Sequence, residues 1–227
     1  MKIKRCILLF WMTIALVAST TLFNRRSHVD LVQNMLPSRN HSVTIVIDPG
    51  HGGYDPGKVN TSENILEKDI NLSISLCLCS ILEGLHYNVI MTRTDDSDLC
   101  TDSSHARKTD DLDNRIGIAD EASADYLISI HQNSFSDPSV HGAQMFYYSD
   151  GPSGDLAGAI QAAVNPERTA KANTSYYMLR KTKCPAVIVE CGFLSNPNEA
   201  GLLKSEEYQK QIATLIAQGI DTYISSH

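Results

Sequence analysis

Three short apolar runs in this chain each stop at a side chain able to carry chemistry. Val43-Thr44-Ile45-Val46-Ile47 passes through Asp48 and Pro49 into Gly50-His51-Gly52-Gly53. Tyr126-Leu127-Ile128-Ser129-Ile130 ends at His131, and Pro185-Ala186-Val187-Ile188-Val189 ends at Glu190. Runs of this length, rich in β-branched residues and barely alternating, read as strands of a sheet covered on both faces. Ligand groups gather at the carboxyl ends of such strands. The glycines around His51 remove neighbouring side chains, which predicts an exposed imidazole with free space beside it.

Between these runs the period changes. Leu66, Ile70, Ile74, Cys77, Leu78, Ile81 and Leu85 follow helical spacing within Asn64–Leu85, with Gly84 as the stop. Tyr87 to Thr92 reads as the next strand, and Thr94 to Lys108, rich in Asp, Ser and Thr, as a surface loop. Leu112, Ile116 and Ala119 mark a short helix. Further on, the pattern predicts a strand at Gly142–Tyr148, a helix at Gly154–Val164 and a short strand at Tyr176–Arg180. Asn196-Pro197 opens a helical turn, with proline where its missing N–H does no harm. The last helix, Glu206 to Ile224, places Tyr208, Ile212, Leu215, Gly219 and Tyr223 on one face. Strands alternating with helices predict an α/β three-layer sandwich: a largely parallel twisted sheet with helices on both faces, forming one catalytic domain over residues 42–227.

The N-terminal pattern is different. Lys2, Lys4 and Arg5 precede an apolar run from Cys6 to Phe23, followed by Arg25 and Arg26. Residues 1–25 read as a signal anchor or a signal peptide, with Val17-Ala18-Ser19 the best small-residue cleavage site. Residues 26–41, containing Pro37 and Ser38, read as a linker. The domain is therefore expected outside the cytoplasm, membrane-anchored or secreted. Beyond residue 41 there are 13 basic against 25 acidic residues, a net charge of −12. So acidic a domain disfavours nucleic acid and anionic lipid surfaces, leaving any membrane attachment to the N-terminal segment. Of the six cysteines, Cys6 lies in the apolar run and the other five include no CxxC, which favours buried free thiols.

His51 and His131 supply two nitrogens from strand ends, and a catalytic zinc takes three protein ligands with one position left open. Glu67, near the start of a helix, is the best third ligand. It has a competing reading: with Asn64 as N-cap, Glu67 would sit at the third helical position and complete a capping box. A lone histidine at a strand end is more often a hydrogen-bonded loop residue than a ligand. Glu190 is either a buried structural acid or a carboxylate whose partner or shifted pKa serves chemistry. Taken together, the three strand ends indicate a metal-dependent hydrolase.

Five motifs in order sharpen this: Asp48-Pro49-Gly50-His51-Gly52-Gly53, Asp55-Pro56-Gly57, Glu67-Lys68-Asp69, Ser129-Ile130-His131-Gln132-Asn133, and Pro185 to Asn196 around Glu190. Over about residues 43–225 the chain resembles the zinc-dependent N-acetylmuramoyl-L-alanine amidases of bacterial cell walls. The resemblance implies one Zn2+ held by His51, Glu67 and His131, Glu190 as the catalytic carboxylate, and peptidoglycan as substrate. Thr92-Arg93 and Arg115 also fall where the family has similar residues. Asp48 and Asn133 read as contacts to the metal ligands or substrate, against plain loop hydrogen bonding. The layout looks most like the spore-cortex amidases of endospore formers, which free muramic acid for δ-lactam formation. An exported zinc peptidase or carboxypeptidase is the alternative, and a non-catalytic wall-binding protein a third. Family members inhibited in cis carry a long helical insertion after the second histidine; here ten residues, Gln132 to His141, stand there. Control by an accessory protein that promotes zinc loading is the corresponding expectation.

Overall fold

The structure is a computed structural model that describes residues 42–101 and 107–227. The expected anchor and linker, residues 1–41, lie outside the described residues, as do residues 102–106 of the acidic loop.

β1 (Thr44–Pro49), β5 (Tyr126–Asn133) and β8 (Ala186–Phe193) are the three apolar runs. They lie side by side in parallel at the centre of a six-stranded sheet, buried along nearly their whole length. β4 (Asn88–Met91) flanks β1, and β6 (Gln144–Tyr147) runs antiparallel beside β8 with β7 (Lys171–Ala172) at the far edge. A separate two-stranded ribbon pairs β2 (Val59–Asn60) with β3 (Ile65–Leu66).

Alternate side chains of the central strands enter two cores. Ile45, Ile47, Ile128, Ile130, Val187 and Val189 pack on one face, beneath α1 (Glu67–Gly84), α3 (Pro152–Val164) and α6 (Glu206–Ser225). Val46, Leu127 and Ile188 face α2 (Arg107–Glu121) and α4 (Tyr177–Lys181). That is the expected three-layer arrangement. α5 (Pro197–Leu203) follows β8, its first N–H groups bonded by the Asn196 side chain at 3.0 and 3.1 Å.

After β1 the chain crosses over α1 to β4 on one side, and after α2 it enters β5 on the other. The carboxyl ends of β1 and β5 therefore form the switch point where open α/β sheets bind ligands. His51 and His131 lie there.

Three expectations need correction. Tyr176–Arg180 is not a strand: Tyr177–Lys181 is a helical turn, and Tyr176 is the extended residue before it. A five-residue segment shows too little periodicity to separate the two. α1 begins at Glu67 and not at Asn64, because Ile65 and Leu66 pair with β2. Asn64 instead takes a left-handed conformation in the ribbon turn (φ 52°). The capping box is thus ruled out, and Glu67, at the first helical position, is free to point elsewhere. Finally, α2 is a full 15-residue helix beginning at Arg107, inside the expected loop.

Candidate metal centre and active site

Glu67 stands at the centre of the site. Its Oε1 lies 3.2 Å from His51 Nε2 and 3.1 Å from His131 Nδ1. One donor atom from each of the three residues falls within 4.8 Å of the others. The two imidazoles meet edge to face, with ring centroids 5.0 Å apart. Backbone N–H groups of Gln132 and Lys58 donate to the two Glu67 oxygens at 3.1 and 2.7 Å. Burial would raise the Glu67 pKa, but its bonds to His131 and His51 outweigh that and hold the carboxyl well below its usual range. Burial likewise opposes a charge on His51, yet bonds to Asp55 and Glu67 push its pKa up to about 9. Two nitrogens and a carboxylate oxygen converging so closely form a donor set suited to zinc, and the residues fit it.

The two histidines are held by different means. His131 continues a regular strand and is directly paired with Glu190 across β5 and β8, so the two side chains stand on the same side of the sheet. His51 lies in the loop after β1 with φ 63°, a left-handed conformation costly for a residue with a Cβ. Its carbonyl and the two before it are all held by arginines. Arg115 Nη2 donates to His51 O at 2.7 Å and Nη1 to Pro49 O at 2.8 Å. Arg93 donates to Pro49 O at 2.9 Å and Gly50 O at 3.1 Å. On the ring side, His51 Nδ1 bonds Asp55 Oδ2 at 2.9 Å. A carboxylate on the far nitrogen orients the imidazole and raises its basicity toward a metal.

Beneath the loop lies a buried ionic layer. Asp48 accepts bonds from Thr92 (2.7 Å), Ser129 (2.6 Å) and Arg115 (2.8 Å), and Arg115 also bonds Asp111 at 2.7 Å. Burial works against the Asp48 charge, but Arg115 and the two hydroxyls hold its carboxyl below the usual range. Asp48 and Arg115 therefore brace the loop from below. Asn133 turns its side-chain oxygen to Ser134 N at 2.7 Å, a local bond at the β5 bulge.

The glycines do not leave open space. A Cβ on Gly50 would fall 2.2 Å from the His131 ring, and one on Gly57 2.7 Å from the His51 ring. At Gly52 and Gly53 the same atom would meet Ser97 and Asp98. These positions lack side chains, which lets the two histidines, Glu67 and the acidic loop close in. The His51 side chain is correspondingly only 18 % exposed.

What is open is a cavity of about 290 Å³ bounded by His51, Glu67, His131 and Glu190 on one side and by Leu112 and Tyr176 on the other. Glu190 is buried at its wall, and its Oε2 has no protein partner. Burial is the main reason its pKa rises to about 7, with the His131 charge pulling the other way. Tyr176 Oη lies 3.4 Å from Glu190 Oε1, its ring packed edge-on against Phe146. Burial and the Glu190 charge keep this phenol protonated. Neither Tyr176 nor the role of Asp55 was visible in the sequence. Tyr176 falls in the misassigned segment, and a His–Asp spacing of four carries no meaning in a loop.

Comparison with known proteins gives a consistent result. The sequence profile of a family described as N-acetylmuramoyl-L-alanine amidase matches residues 45–222. A germination-specific N-acetylmuramoyl-L-alanine amidase of Bacillus subtilis (strain 168) is 36% identical over 190 residues, covering 80% of this chain and 79% of that protein. The probable cell wall amidase LytH of Staphylococcus aureus is 30% identical over 207 residues, which is 88% of this chain and 65% of LytH. Among solved structures, the CwlD amidase of Clostridioides difficile, in complex with the GerS lipoprotein, superposes with a TM-score of 0.78 at 38% identity. That match covers 82% of this chain and all of CwlD in the structure.

Proposed function

Because this chain belongs to the N-acetylmuramoyl-L-alanine amidase family, we propose that His51, Glu67 and His131 hold a catalytic zinc and that Glu190 moves the proton in amide hydrolysis. The enzyme is an amidase of peptidoglycan: it cleaves the bond between the lactyl carboxyl of N-acetylmuramic acid and L-alanine. The observation that carries the role assignment is the convergence of Glu67 Oε1 with His51 Nε2 and His131 Nδ1, with Glu190 unpartnered at the same cavity wall.

Amides hydrolyse slowly, so the site must supply a nucleophile and stabilise charge on the carbonyl oxygen. Zinc on these three ligands would supply Lewis acidity to water and to the scissile carbonyl. Glu190 takes the proton from the attacking water and returns it to the leaving alanine nitrogen. Its elevated pKa suits both halves of that transfer near neutrality. Tyr176, held protonated, donates to Glu190 and steadies the carboxylate as it exchanges the proton. Asp55 and the two arginines keep His51 aimed at Glu67 throughout.

The test separates ligands from proton carrier. Glu190→Ala retains zinc and loses turnover, whereas His51→Ala or His131→Ala loses the metal. Loss of zinc from the Glu190 variant would make Glu190 a ligand and overturn this assignment. Products are read as free stem peptide with the lactyl carboxyl exposed.

The enzyme acts outside the cytoplasm, as its cell wall relatives imply. Among the described residues no helix is long and apolar enough to cross a membrane. The basic residues and apolar run of residues 1–25 support the proposal that this segment directs export or anchors the chain. We place the enzyme in spore-cortex maturation, supported by the names of the Bacillus and Clostridioides relatives. Muropeptide profiling of cortex from a deletion strain, with loss of muramic-δ-lactam, tests this. Among the described residues the segment between β5 and β6 holds no helix. CwlD was solved with a lipoprotein, and an accessory protein that promotes zinc loading is the matching proposal here. Full zinc occupancy and full activity of the purified chain alone would exclude it.

A further inference from the structure

Asn71 takes no part in the chemistry above, yet its side chain reaches all three elements that carry the metal-facing residues. It lies one turn beyond Glu67 on α1 and is fully buried. Its Nδ2 donates to the carbonyl of Gly50, the residue before His51, at 3.0 Å. The same nitrogen lies 3.4 Å from Glu67 Oε1. Its Oδ1 accepts from Gln132 Nε2 at 3.2 Å, and Gln132 is the residue after His131. Gln132 closes the circuit, since its backbone N–H also donates to Glu67 Oε1.

A buried carboxamide is expensive unless its donors and acceptors are used, and here both are. Its orientation is also determined. Reversed, the Asn71 oxygen would face the Gly50 carbonyl and the Glu67 carboxylate, three acceptors without a hydrogen among them. The asparagine therefore matches its neighbours on every side. Gly50 O keeps Arg93 as a second partner, and Glu67 Oε2 keeps Lys58 N. Loss of Asn71 thus spares the loop's main braces and falls on Glu67 Oε1 and on Gln132.

We propose that Asn71 is a positioning residue for the metal centre: one carboxamide ties α1, the loop after β1 and the end of β5 together, so that Glu67 Oε1 stays centred between His51 and His131. The proposal rests on the zinc assignment made above. Its action is on the geometry of the donor set, through Glu67 and Gln132, and it touches neither substrate nor metal.

The experiment uses the full-length chain with Asn71→Leu, which keeps the bulk and removes every hydrogen bond. Gln132→Met removes one link of the same circuit by an independent route. Zinc affinity is measured by competition with a chromophoric chelator, and the donor geometry by the visible spectrum of the Co2+-substituted protein. Asn71→Leu is expected to weaken zinc roughly 10- to 100-fold, as loss of outer partners does elsewhere, and to shift the cobalt bands. Gln132→Met is expected to move both readouts less, in the same direction. A purely structural role would lower the melting temperature and leave the cobalt spectrum unchanged. Wild-type zinc affinity with an unshifted cobalt spectrum in Asn71→Leu overturns the proposal. Should that variant not fold, Gln132→Met decides by the same two readouts. Failure of the unaltered chain to bind zinc is a separate result: it defeats the metal assignment itself, and this proposal with it.

Discussion

The two histidines at the switch point reach the same Glu67 oxygen from unlike backbones. His131 is the last residue of β5 in regular register with β8 before the bulge, and that pairing already aims it at the same side of the sheet as Glu190. His51 has left the ladder, has a left-handed backbone and rests on two arginines, one aspartate and a buried ionic layer. A strand positions a side chain through bonds the fold makes anyway. A loop must be held in place by side chains recruited for that purpose, and most of the buried charge in this domain is spent there.

That contrast can be broken from either side. The largest effect is expected for Arg115→Met, which removes the support of His51 and leaves Asp48 and Asp111 buried without their cation. Such a loss costs about 3–5 kcal/mol, measured by denaturant unfolding. It also changes the acid limb of stability. In the wild type the depressed Asp48 pKa contributes stability that is complete above about 3.8, the ordinary value, and is lost as pH falls through the lower folded value. In Arg115→Met this protection should disappear, so the acid limb moves to higher pH.

Gly50→Ala attacks the other histidine. Its new methyl would stand 2.2 Å from the His131 ring, which must rotate away from Glu67. Overpacking of this kind costs about 1–3 kcal/mol, and zinc affinity should fall with it. Asp55→Asn sharpens the comparison, because it removes the negative charge from His51 Nδ1 and leaves His131 untouched. Zinc binding should weaken about tenfold, at the lower end of such effects, with stability nearly unchanged; isothermal titration reads the difference. The smallest effect is expected for Tyr176→Phe, since the bond to Glu190 is long at 3.4 Å. A fall in kcat of roughly two- to tenfold, equivalent to about 0.5–1.5 kcal/mol, with unchanged zinc content would fit a donor to the proton carrier. A fall in zinc content would place Tyr176 with the metal ligands instead.

Much of the architecture could be read from local pattern. The unalternating runs at Thr44–Ile47, Leu127–Ile130 and Ala186–Val189 read as strands buried on both faces, and Ile70, Ile74 and Leu78 as one helical face, and the structure has both. Short elements escaped because five residues such as Tyr177–Lys181 span barely one helical period. Glu67 illustrates the opposite failure. Its local surroundings suggested a capping box, and only the pairing of Ile65 and Leu66 with β2 withdrew it from that role.

Composition and order of residues determined the strands, the covering helices and which side chains stand at strand ends, because each depends on periodicity within a few neighbours. The family motifs, too, are local strings. What only the tertiary structure decided is what those ends meet. Glu67, Arg93, Arg115 and Tyr176 come from separate helices and loops, and each meets one of those ends or the loop that follows it at the β1–β5 switch point. Even the glycines follow this rule: the chain shows where side chains are missing, and only packing shows that histidines and an acidic loop occupy the room. Hydrogen bonds and steric exclusion act over distances that sequence separation does not encode.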